Sequence, residues 1–309
     1  MTFLLLLPLA LPFVMPPLAR RALDRLAPRA ALWVVTCCTV VLACCSLTAL
    51  GAFVLTGLLK LPLFAALGEL VRPLRAGSDL FVVPAAAFSV GGLAVCLWTL
   101  CRTVLRQARA FRAATSEADR RTTAGDLCVI DSPRPDAYAL PGRPHRIVVT
   151  TGMLRSLDPD EREALFAHER AHNAAGHHYF LAVAELAALC HPGLRSVAPV
   201  IRLAVERAAD EAAAAVVGDR RLTARAIGRA ALATRTAPDE RPAFAPAATA
   251  GPVPQRVAAL LTAPRTPQRA ARWIAALLVA CAAVSACASA TGVMGFHHEV
   301  EVAQGEEAR

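Results

Sequence analysis

His168-Glu-Arg-Ala-His172 puts two imidazoles four residues apart with a carboxylate directly after the first. On a helix both rings project from one face and can grip a single tetrahedral cation, leaving Glu169 beside the open position. A helix is expected here because Asp158-Pro-Asp-Glu161 is a start signal: Asp158 can cap, Pro159 suits the first turn, and Glu161 sits at the capping-box position. The helix should run through Arg162 to about Ala175. Such a site performs zinc-assisted hydrolysis, since zinc lowers the pKa of bound water to about 7 and Glu169 could take the proton and later pass it to a leaving amine.

A catalytic zinc needs a third protein ligand, and Glu206 in Val205-Glu-Arg-Ala-Ala-Asp-Glu211 supplies a carboxylate from a second helix. Asp210, one turn later on the same face, could orient a ligating histidine through its other ring nitrogen. The competing reading of Glu206 is a solvated helix face, with Arg202, Arg207 and Asp210 forming exposed ion pairs. Glu211 and Glu185 are weaker rivals for the ligand. His177, His178 and His191 are read as surface residues or as support behind the ligands. The donor that would stabilise a tetrahedral oxyanion stays open between Tyr138, Tyr179 and the many arginines.

The elements that position these residues are set by an apolar composition. The 309 residues have a mean hydropathy of +0.46 and are 56% apolar but only 5% aromatic. That points to concentrated greasy segments and a membrane protein. The net charge of +9 comes from arginines clustered beside apolar runs, where topology and anionic lipid account for them; no direct nucleic-acid binding is expected. Of the ten cysteines, eight lie in or at the edge of apolar stretches and none forms a CxxC pair, while Cys128 and Cys190 are too isolated to pair by sequence.

Four runs are candidate membrane helices: Met1 to Leu18, Ala30 to Leu59, Leu80 to Leu100 and Trp273 to Phe296. Met1 to Leu18 carries its charge behind the apolar stretch, unlike a signal peptide, and is expected to be a membrane helix despite Pro8 and Pro12. The positive-inside rule sets the orientation. Arg20, Arg21, Arg25 and Arg29 mark the first loop as inside. Lys60, Arg72 and Arg75 are balanced in part by Glu69 and Asp79. Arg102, Arg106, Arg109 and Arg112 crowd the exit of the third span. Arg265, Arg269 and Arg272 precede the fourth, and Glu299, Glu301, Glu306 and Glu307 follow it. This places both termini outside a multi-pass cell-membrane protein, with the domain between the third and fourth spans cytoplasmic.

The expected organisation is a three-helix membrane region at 1–112, a zinc peptidase domain at 113–235, a Pro-rich linker at 236–270, a fourth span at 271–296 and an acidic tail at 297–309. Leu127 to Thr150, with its Pro and Gly breaks, reads as a small β-sheet, and the strand at Ile147 to Thr150 could offer an edge to an extended peptide. The rest of the domain reads as Ala-rich helix to about Thr234. Tyr179 to Cys190 is apolar but too short to span, which suits a buried or membrane-surface helix. Pro238, Pro242, Pro246, Pro252, Pro254, Pro264 and Pro267 mark the linker, interrupted by a short helix at Gln255 to Leu261.

Taken together, Ala137-Tyr-Ala-Leu-Pro-Gly142, Arg146 to Thr150, Thr151-Gly-Met-Leu154, Leu157 to His172 and the Glu206-Arg-Ala-Ala-Asp210 box resemble the BlaR/MecR-type membrane metallopeptidases and the related HtpX and CAAX-prenyl endopeptidases. The resemblance implies a mainly α, polytopic membrane protein with about four transmembrane helices and a small α+β, gluzincin-like zinc peptidase domain. It implies one Zn2+ per chain held by His168, His172 and Glu206, with Glu169 as base and Asp210 behind a histidine. The four-span layout looks more like the BlaR group, which implies cleavage of a cytoplasmic or membrane-proximal polypeptide, such as a transcriptional repressor or the enzyme itself, on an external signal. BlaR proper carries a large penicillin-binding sensor after its last span, whereas only Phe296 to Arg309 follow here, so the resemblance does not extend to direct β-lactam sensing. The reading from a different class is a non-catalytic membrane signalling or scaffold protein that keeps the peptidase fold. Glu169 argues against it, since a structural zinc site has no use for an adjacent base. A transporter would want ionisable groups inside the spans, and they are largely absent.

Overall fold

Long apolar runs with few helix breakers fold as long helices, and the computed structural model, which describes residues 2–58, 79–120, 123–234, 252–262 and 269–305, shows this directly. Helix α3 (Pro28–Leu58), α4 (Asp79–Asp119) and α11 (Arg269–Gly305) contain stretches long and apolar enough to cross a membrane. At about 1.5 Å per residue, α3 alone is roughly 46 Å long. The first apolar segment departs from the expected single helix. It is split into α1 (Thr2–Ala10), a 3-10 turn (Leu11–Phe13) and α2 (Met15–Arg25), with a bend of 49° between its halves. Pro12 and Pro16 sit at the starts of the turn and of α2, where the missing N–H donors and fixed φ favour a new helix over continuation of the old one. The described residues thus hold three helices long and apolar enough to cross a membrane, or four candidate spans if the bent pair counts as one.

Two helices run past their expected ends. Helix α4 continues unbroken from the third apolar run to Asp119, and α11 continues beyond the fourth to Gly305. Several residues used in the sequence reading lie outside the described residues: Lys60, Glu69, Arg72 and Arg75 of the second loop, Pro238, Pro242, Pro246, Pro264, Pro267 and Arg265 of the linker, and Glu306 and Glu307 of the tail.

A four-stranded sheet follows α4: β1 (Thr123–Ala124), β2 (Leu127–Ile130), β3 (Ala137–Leu140) and β4 (Arg146–Thr150), in the order β1-β2-β4-β3. Strand β4 pairs parallel with β2 (Cys128 opposite Val148) and antiparallel with β3 (Tyr138 opposite Val148). The strand at Ile147 to Thr150 is therefore central, not an edge. Its side chains explain why: Ile147, Val148, Val149 and Thr150 are all buried, the signature of a strand covered on both sides rather than one with a wet flank. Thr150 ends the strand and caps α5 (Thr151–Ser156), its hydroxyl accepting from Met153 N at 3.2 Å. Gly152 is required there, because a Cβ would lie 2.4 Å from the Pro133 carbonyl oxygen.

Helix α6 (Pro159–Ala174) starts with the expected capping box, and Asp158 N donates to Glu161 Oε2 at 3.0 Å. Glu161 is fully buried and also binds Arg225 (3.0 Å) and Arg229 (2.8 Å) of α9 (Arg220–Thr234). One side chain thereby caps α6 and ties it to its neighbour. Gly176, at φ +62°, turns the chain into α7 (His177–Cys190). After a 3-10 turn (Pro192–Leu194), α8 (Ala198–Val217) packs across α6.

Helices α7 and α8 do not form a separate core. Phe180, Leu181, Ala184, Leu194, Ile201 and Val205 belong to one buried cluster with residues of α2, α3 and α11. Trp33 of α3 meets Phe180 edge-on, with ring centroids 4.9 Å apart. Finally α10 (Val253–Leu261), the short helix expected within the linker, lies on α8 and α9 with Leu260 buried among Ala214, Ala224 and Ile227. Arg220 donates to the carbonyls of Leu260 (2.9 Å) and Ala259 (3.1 Å) at its C-terminal end.

Candidate metal centre

Helix periodicity brings His168 and His172 onto the face of α6 that meets α8, and both are buried. Their Nε2 atoms lie 2.9 Å apart. Glu206 reaches them from α8, with Oε2 at 3.5 Å from His168 Nε2 and Oε1 at 3.8 Å from His172 Nε2. One ligand atom from each of the three residues falls within 4.8 Å of the others, so the group could hold a metal ion. Glu169 is also fully buried. The solvated-face reading of Glu206 does not hold: Glu206 is 0% and Asp210 2% exposed. The rival carboxylates point elsewhere, Glu211 to Arg220 and Glu185 to Arg106 and Gln107.

Each imidazole is also held from behind. Asp210 Oδ1 lies 3.0 Å from His168 Nδ1. His177 Nδ1 lies 2.9 Å from His172 Nδ1. Both contacts leave the Nε2 atoms directed at the shared point, as supporting groups do in histidine metal sites. Asp210 occupies the place the spacing predicted. His177 is at the start of α7, brought back by the Gly176 turn, and is buried rather than at the surface. His178 is half-buried, with burial lowering its pKa, and His191 binds Gly193 N at the end of α7; neither contributes to this group.

The donor set fits zinc: two imidazole nitrogens and one carboxylate, with neither Glu206 oxygen accepting a well-formed hydrogen bond. Electrostatics make the same demand for a cation. Burial opposes protonation of His168, yet Asp210 and Glu206 outweigh it and push its pKa up to about 9. Burial, and then the charge of His168, holds His172 well below its ordinary value, and burial likewise pulls His177 down to about 4. Asp210 is held below the usual carboxylate range although burial works the other way, because a guanidinium sits against it.

That guanidinium belongs to Arg256 of α10, the residue that sequence reasoning missed. It is 0% exposed. Its Nε donates to Asp210 Oδ2 at 2.8 Å and its Nη2 to Oδ1 at 2.6 Å, while Nη1 lies 3.1 Å from Glu206 Oε2. Local sequence gave no signal beyond a short amphipathic helix between prolines.

Residues 102–195 match the model of peptidase family M48. Members of that family are zinc-dependent. The match covers under a third of the chain. It includes α5, α6 and α7 and stops before Glu206, Asp210 and Arg256, so three of the charged groups around the two histidines lie beyond it. No solved structure matches the chain.

Proposed function

We propose that this chain is a membrane-embedded zinc metalloendopeptidase that hydrolyses a peptide bond in a cytoplasmic or membrane-proximal polypeptide. The observation that carries the reading is the convergence of three buried ligand atoms, from His168, His172 and Glu206, within 4.8 Å, in a chain whose middle is similar to peptidase family M48. Zinc bound there supplies Lewis acidity, polarising the scissile carbonyl and making water a nucleophile at neutral pH. Glu169 takes the proton of the attacking water and returns it to the departing amine. With Asp210 Oδ1 3.0 Å from His168 Nδ1 and His177 Nδ1 2.9 Å from His172 Nδ1, a proton on each ligand's Nδ1 would face its supporting group and leave both Nε2 atoms free for the metal. A polypeptide laid in extended form beside β3, the terminal strand next to α6, would meet this centre through main-chain hydrogen bonds.

The arginine pattern supports a cytoplasmic placement of the peptidase, with both termini outside. The BlaR/MecR-like layout supports a regulatory role in which a repressor is the substrate. Purified wild-type chain should contain one zinc and cleave a generic unfolded polypeptide. Glu169→Gln should retain the zinc and lose about 10²–10⁴-fold in rate, the span of general acid–base contributions; equal cleavage by both would end the enzymatic assignment. For sidedness, a tag at exposed Gly125, in the β1–β2 turn, should be unreachable from outside intact cells.

A further inference from the structure

We propose that Arg256 is a positioning residue of the metal centre, holding Glu206 directly and His168 through Asp210. The proposal rests on the reading of His168, His172 and Glu206 as ligands. Two observations carry it. The first is geometry: a single guanidinium grips Asp210 with two hydrogen bonds (2.8 and 2.6 Å) and stands 3.1 Å from Glu206 Oε2, and Asp210 Oδ1 in turn lies 3.0 Å from His168 Nδ1. Two of the three ligands are therefore indexed to one rigid, planar, permanently charged group.

The second is charge. Glu169, Glu206 and Asp210 are all buried within this site, and their three negative charges exceed by one what a dication with two neutral imidazoles can offset. Arg256, itself 0% exposed, balances the remainder; a buried ionised group without such a partner is strongly disfavoured. Arg256 stands 46 residues after Asp210, on a helix fastened by Leu260 and by Arg220. The centre is thus built from three places in the chain rather than two.

A positioning role and a mere charge predict opposite results. Removing a nearby cation should by charge alone tighten the binding of a dication. Removing a positioning group should weaken it by about 10–100-fold, as loss of groups behind metal ligands does. A tether that only anchors α10 would be mimicked by Leu260→Ala, which loosens the helix without touching the guanidinium. The experiment uses the full chain in detergent micelles and measures zinc affinity by chelator competition and ligand geometry by the visible spectrum of the cobalt-substituted protein. Arg256→Met should bind zinc about 10–100-fold more weakly with an altered cobalt spectrum, Arg256→Lys should fall between it and wild type, and Leu260→Ala should stay near wild type.

Wild-type or tighter affinity with an unchanged spectrum in both Arg256 variants would overturn the proposal, as would a Leu260→Ala loss equal to that of Arg256→Met. Should Arg256→Met fail to fold, Arg256→Lys, which keeps the charge and loses the fork, decides alone: weaker zinc and a shifted spectrum support the role, and an unchanged protein refutes it. A wild-type chain that binds no zinc would instead remove the metallopeptidase reading itself.

Discussion

The two histidines of α6 are four residues apart on one helix, yet they are supported in different ways. His168 is backed by a carboxylate that is itself gripped by an arginine, and the groups come from α8 and α10. His172 is backed by another imidazole only five residues away. The difference shows in their proton affinities: Asp210 and Glu206 raise His168 to about 9 against the pull of burial, whereas burial leaves His172 and His177 depressed. An ionised partner makes a histidine the more basic ligand. A neutral one fixes orientation and little else. The setting of His168 thus depends on distant chain, which makes it the more firmly anchored ring, while the support of His172 is local.

The comparison can be broken most forcefully at Asp210. Asp210→Leu removes the carboxylate that Arg256 holds with two hydrogen bonds, and breaking a buried ion pair by removing one partner costs about 3–5 kcal/mol. Thermal denaturation in micelles should show a large drop, accompanied by weaker zinc binding. A variant as stable as wild type would mean that the His168 side is not the anchored one. On the other side, His177→Phe keeps an aromatic ring and removes the acceptor. It should cost about 1–3 kcal/mol for the unsatisfied His172 Nδ1–H, and less zinc affinity than Asp210→Leu. The reverse order in chelator competition would invert the assignment of roles. The smallest effect is expected away from both. Asp158→Ala loses one half of the capping box and should cost about 1 kcal/mol, with zinc affinity unchanged.

The same asymmetry decided how much the sequence revealed. Everything that depends on spacing within one helix was readable: the capping box at Asp158 and Glu161, the pairing of His168 with His172, and the four-residue step from Glu206 to Asp210 that places Asp210 behind a ligand. What depends on pairing between distant segments was not. Strand β4 was expected to offer a peptide-binding edge, but its parallel pairing with β2 and antiparallel pairing with β3 close both sides; the unbroken apolar run Ile147 to Val149 marks a covered strand but does not name its partners. Arg256 lies in a stretch whose prolines advertise a linker, and its only distinguishing feature, complete burial against two carboxylates, exists only after folding. The break in the first apolar segment was legible in principle. Pro12, Pro16 and Pro17 fall where one helix would have to continue, and the chain bends by 49° instead.

Because Phe180, Leu181, Ile201 and Val205 are covered by α2, α3 and α11, excision of residues 113–235 as a water-soluble fragment would strip the lid from their greasy side. Such a fragment would present a contiguous apolar face to solvent and self-associate. The histidine-bearing region is grown onto the long apolar helices rather than hung from them, so any disturbance that shifts those helices bears on α7 and α8, which carry His177 and Glu206.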